Sequence, residues 1–171
     1  MSRDLELVVD MTTSVLAGRR SAGMSRVERG FADSLAAQHD GPMHCVAWDS
    51  VSNDFQVTAR PGPLVERDGP ADSISRRVLL VTGGGWLSNP VYLHALGRYR
   101  DRLGAELVVV IHDILPIIRP HWFPLRDAAR NAAGIAAMLA RADGALVYSA
   151  STERDLQDAT SRLHLPPTPC R

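Results

Sequence analysis

The residues best equipped for chemistry stand at the ends of apolar runs. In "LVVVIHDILP", His112 and Asp113 follow five apolar residues. A histidine in that place can act as a general acid or base, or bind a polar ligand. It can equally be a neutral core histidine, hydrogen-bonded inside the sheet. Asp113 can orient a neighbouring imidazole or cap the turn that follows. Asp10 closes the run "LELVVD" and has the same two readings, site or turn cap. Gly83, Gly84 and Gly85 follow "RVLLVT"; they either bring a ligand close to backbone or merely bend the chain beside Trp86. Arg26 lies in the first turn of an expected helix, where the macrodipole repels a cation by a few tenths to about 1 kcal/mol. A bound anion would lift that penalty; an arginine extended into solvent is the plainer alternative. Ser149, Ser151 and Thr152 follow the last apolar run, "ALVY".

Several chemistries lack their residues. All nineteen basic residues are arginine, so no lysine is present for a Schiff base or a Walker-type phosphate loop. "TGGGWLSNP" lacks G-x-G-x-x-G, which argues against a dinucleotide, and no G-x-S-x-G nucleophile elbow occurs. His112 and His121 have no third ligand at useful spacing, and Cys45 and Cys170 have no metal-binding spacing, so neither metal nor cofactor is expected. The two cysteines suit a reduced, cytoplasmic protein. Net charge is zero, which suggests no nucleic-acid partner. Neither a signal-peptide core nor a membrane-spanning segment is expected.

The elements that must position these residues alternate. Strands are expected at 5–10, 43–48, 77–82, 106–112 and 145–149, all apolar throughout. Between the first two, a polar loop leads to a helix over 25–38, where Ser25 and Glu28 have capping-box spacing. Residues 49–76 read as a loop or hairpin excursion in which only "FQVTA" is extended. Asn89 and Pro90 start a helix to about Leu103. Pro116 and Pro120 hold the stretch after His112 extended. Pro124 opens a helix with Leu125, Ala128, Ala132, Ile135 and Leu139 on one face, ending near Asp143-Gly144. Ser151 or Ser149 caps a last helix to about Leu163. The "LPPTPCR" tail is not helical. Apolar strands alternating with helices make a single α/β domain with an open, doubly wound, Rossmann-like parallel sheet. In such sheets ligands bind beyond the carboxyl ends of the strands, where Asp10, the glycines, His112-Asp113, Ser149–Thr152 and the Arg19, Arg20, Arg26 loop all fall.

The order "AGMSRVERGFADSLA", "GGGW", "VIHDILPIIRPHWF", "ADGALVYSASTERDL" resembles the N-terminal lobe of GT-B fold glycosyltransferases of family 4. "HDILP" and "YSASTERDL" carry most of the likeness, which spans nearly the whole chain. The resemblance implies a bacterial, metal-independent, retaining transferase of polysaccharide biosynthesis. It would move a sugar, with mannose among the candidates, from a nucleotide-sugar to a glycan or other acceptor. His112 would face the transferred sugar beside Asp113. Gly23 and Arg26 would approach donor phosphates or acceptor, with Asp10, Gly84, Trp86, Ser149, Ser151 and Thr152 lining the substrate site. The location implied is the cytoplasm, either free or peripheral at the inner membrane surface. Two features depart from the family. Ala22-Gly23 replaces a glycine pair, and no two of Glu6, Glu28, Glu66, Glu106 and Glu153 have the spacing of the donor lobe's E-x7-E motif. Residues 1–171 would therefore be the acceptor-side lobe, inactive without a C-terminal lobe or partner chain, and prone to self-association through the face that lobe would cover. The alternative is a stand-alone Rossmann-like binding or interaction module without catalysis.

Overall fold

The computed structural model describes residues 4–17, 23–58, 74–82, 84, 89–163 and 169–170. Among them, six strands form one sheet: β1 (Leu5–Asp10), β2 (Met43–Asp49), β3 (Asp54–Val57), β4 (Arg76–Val81), β5 (Glu106–Ile111) and β6 (Gly144–Val147), in the order β3-β2-β1-β4-β5-β6. Neighbours run parallel except in the β2–β3 hairpin. The order reverses between β1 and β4, which makes the carboxyl ends of those two strands the switch point of a Rossmann-like α/β fold.

The central strands β1, β4 and β5 are buried on both faces along most of their length. On β1, Leu7 and Val9 join a cluster with Met43, Cys45 and Ala32, while Val8 joins a larger one on the opposite face. Helix α1 (Thr12–Ala17) and helix α2 (Met24–Gln38) connect β1 to β2. Helix α3 (Pro90–Leu103) supplies Tyr92, Leu93, Leu96 and Tyr99 to the larger cluster. That cluster also takes Ile135, Met138 and Leu139 of helix α5 (Leu125–Leu139) and Leu156 of helix α6 (Ala150–Arg162). As its sequence suggests, α3 starts at Asn89, whose side chain accepts from the Val91 and Tyr92 amides at 3.0 and 3.3 Å. It stops at Gly104, which has φ 60°.

Four expectations are corrected. The stretch after Asp10 is not wholly a loop, because Thr12–Ala17 is helical. The Ser25–Glu28 capping box does not form: Gly23 is the N-cap of α2, no side chain caps it, and the Glu28 carboxylate instead accepts from the Ser14 amide. Pro116 and Pro120 do not hold their segment extended. Leu115–Ile118 forms the short helix α4 and Pro120–Trp122 a 3₁₀ turn, each with its proline in the first turn, where a missing N–H costs nothing. Helix α5 ends at Leu139, earlier than Asp143-Gly144, and its Leu125 is 84% exposed instead of packed. The smaller differences are at element ends: β5 stops one residue before His112, β6 runs over Gly144–Val147, and Ser149, not Ser151, caps α6.

Candidate functional site

The carboxyl end of β1 carries Asp10, which points inward. Its carboxylate accepts from the Thr12 amide (3.0 Å), the Thr12 hydroxyl (2.5 Å) and the Tyr92 hydroxyl (2.5 Å). The side chain is buried. Burial pushes its pKa above the ordinary carboxylate value, against the three donors, which favour the charged form. Tyr92 is raised well above its usual value, by burial first and then by the Asp10 charge. Asp10 is thus the turn cap of its own strand end as well as an anchor for α3. The Thr12 hydroxyl in turn accepts from the Trp48 amide at 2.9 Å, tying the end of β2 to the same knot.

Glu28 is the second buried carboxyl here, one that sequence reasoning took for a surface cap. Its Oε2 accepts from the Ser14 amide at 2.5 Å, and the Ser14 hydroxyl donates to the Ser25 carbonyl at 3.1 Å. Its Oε1 is buried and has no hydrogen-bond partner among the described residues. Burial raises its pKa to about 7, with the Asp10 charge adding to the rise and the Ser14 hydrogen bond opposing it. Burial thus disfavours the charged form of both carboxyls, which lie at the end of β1 and in α2.

His112 stands just past β5. Its Nε2 is 2.8 Å from the Thr82 carbonyl, at the end of β4, and its ring stacks on Tyr148 with centroids 5.2 Å apart and planes at 19°. The Thr82 hydroxyl donates to the Asp10 carbonyl at 3.2 Å. The ends of β1, β4 and β5 are thus joined through Thr82, a residue without a role in the sequence analysis. The imidazole is half-buried, neither sealed in the core nor free in solvent. Asp113 is exposed and its Oδ1 accepts from the Leu115 amide at 3.1 Å, so it caps the following turn and does not orient an imidazole. Ser149 accepts from the Thr152 amide at 3.1 Å and lies 3.0 Å from the Thr152 hydroxyl, capping α6 beside Tyr148; Ser151 is exposed in the first turn.

Of the remaining sequence candidates, Gly23, Arg26 and Gly84 are among the described residues. Gly23 has φ 54°, and a Cβ there would meet nothing within 4 Å. Arg26 is exposed in the first turn of α2, its amide bonded to the Gly23 carbonyl at 3.1 Å. Gly84 is a partly buried bend beyond Thr82. Arg19, Arg20, Gly83, Gly85 and Trp86 lie outside the described residues. Among those described, no three His, Cys, Asp or Glu side chains group as metal ligands, and no helix is long and apolar enough to cross a membrane. Thr82, Tyr92, Glu28 and Tyr148 were missed by sequence reasoning. Tyr148 and Thr82 carried a signal, as residues at the ends of apolar runs. Comparison of the chain with protein-family models, curated proteins and solved structures returns no match.

Proposed function

We propose that the chain is the acceptor-side lobe of a retaining, GT-B type glycosyltransferase that moves a sugar from a nucleotide-sugar to a glycan or other hydroxyl-bearing acceptor. The observation that supports this reading most is the placement of His112. It sits half-buried at the carboxyl rim of a doubly wound sheet, joined through Thr82 to the switch point where such folds take their ligands. A sheet of this order hosts many activities, so the fold carries little of the weight. The weight falls on an ionisable ring held at the rim, together with the likeness of "HDILP" and "YSASTERDL" to family 4.

In this reading His112 hydrogen-bonds the sugar or its acceptor, and Asp113 shapes the wall by holding the turn that leads into α4. The start of α6 at Ser149 and Thr152 completes the floor. Arg26 and Gly23, at the start of α2, face donor phosphates when the donor-binding half is in place. That half comes from a further lobe or a partner chain. Calorimetry of the chain with GDP-mannose, UDP-glucose and simple methyl glycosides tests the assignment of sides. The expected result is measurable glycoside binding with only weak nucleotide-sugar binding. Micromolar affinity for a nucleotide-sugar would overturn it, because the donor contacts belong to the other half.

A further inference from the structure

We infer that Tyr148 is a positioning residue: stacked on His112, it holds Nδ1 of that ring toward the rim as a hydrogen-bond acceptor for a hydroxyl-bearing ligand. The ligand class rests on the glycosyltransferase reading; the ring geometry does not.

The tautomer follows from the partners. The Thr82 carbonyl only accepts, so the His112 nitrogen 2.8 Å from it, Nε2, carries the hydrogen. In the neutral ring the lone pair then lies on Nδ1. Nδ1 makes no hydrogen bond among the described residues, yet it is not one of their sealed and unpartnered polar atoms. In this tautomer Nδ1 is the ring's remaining acceptor, which discriminates in favour of a group that can donate, such as a sugar hydroxyl. One hydrogen bond leaves the imidazole free to swing about that contact. The stack on Tyr148 removes this freedom by fixing the plane of the ring. Tyr148 is 54% exposed, and its hydroxyl makes no hydrogen bond among the described residues. The aromatic face, and not the hydroxyl or any large core contribution, is what this side chain supplies.

The test is long-range ¹H–¹⁵N NMR of the full chain labelled with ¹⁵N-histidine, with His112→Ala assigning the signal. Wild type and Tyr148→Phe are expected to show the Nε2–H tautomer at His112. Tyr148→Leu is expected to move the signal toward an average of both tautomers. Titration with methyl α-mannopyranoside should shift Nδ1, and Tyr148→Leu should weaken that binding about three- to tenfold while Tyr148→Phe leaves it unchanged. An Nδ1–H tautomer in the wild type, or an unchanged His112 signal in Tyr148→Leu, overturns the inference. If the tautomers behave as stated but no glycoside shifts Nδ1, the positioning role stands and the sugar-transfer reading fails.

Discussion

Two buried carboxyls and one half-buried imidazole set the chemistry of the rim, and each responds differently to substitution. Glu28 binds its proton more tightly in the fold than in the unfolded chain, with a pKa of about 7 against an ordinary 4.5. The sign follows directly. Between those two values the native state holds more protons at this group than the unfolded state, so the contribution of Glu28 to stability is greatest at low pH and is lost as pH rises toward 7. The expected loss between about pH 5 and about pH 8 is on the order of 3 kcal/mol. Urea unfolding at both pH values should show it, and Glu28→Gln should flatten most of the difference, whatever the amide costs in absolute stability. An equally steep decline in Glu28→Gln would assign the effect elsewhere, Asp10 being the nearest source. His112→Ala removes one hydrogen bond and one ring contact at a half-exposed position. It should lower stability by only about 1–2 kcal/mol while abolishing glycoside binding. Unfolding and calorimetry on the same variant separate the two effects. A strongly destabilised variant whose folded fraction still binds would make His112 a core residue.

At the scale of elements, the strands were legible because both faces of each are apolar and each run ends in a polar or small residue, as at Asp10, Thr82 and His112. The start of α3 was legible because Asn89 and Pro90 act locally. Helix α1 was not: "TTSVLA" is a poor helix sequence, and its first turn is held by Asp10 beneath it and by Glu28 from the next helix. The same long-range bond defeated the capping-box reading, since Glu28 has a better donor in Ser14 than in its own helix start. Pro116 misled because its cost depends on position. In a first turn it removes an amide that has no partner anyway. The β1–β2 connection also contains a tight point that spacing does not reveal. A Cβ at Gly41 would overlap the Leu5 carbonyl oxygen and lie 2.8 Å from Nε2 of His39. Gly41→Ala should therefore cost about 1–3 kcal/mol or more, read as a lowered urea midpoint. A neutral outcome would show that the start of β1 can shift away from the turn.

At the scale of the molecule, the sheet order brings together residues that are far apart in sequence. Asp10 reaches Tyr92 and Thr82, and Thr82 reaches His112, only because β1, β4 and β5 lie side by side. The sequence places Asp10, Thr82 and His112 at the ends of apolar runs, but does not say which strands are neighbours. The roles of Thr82 and Tyr92 could not be recognised before the order was known. The central claim, that this rim is the sugar-binding wall we propose, is tested most directly by amide chemical-shift mapping of the full chain with a methyl glycoside and a nucleotide-sugar. Shifts at saturating glycoside should concentrate at Thr82, Gly84, His112 through Ile114 and Tyr148 through Thr152, with the nucleotide-sugar producing weaker changes near Gly23 and Arg26. Glycoside shifts confined to the opposite end of the strands, around Glu6, His44 and Arg77 near the amino ends of β1, β2 and β4, or no shifts at any concentration, would contradict it.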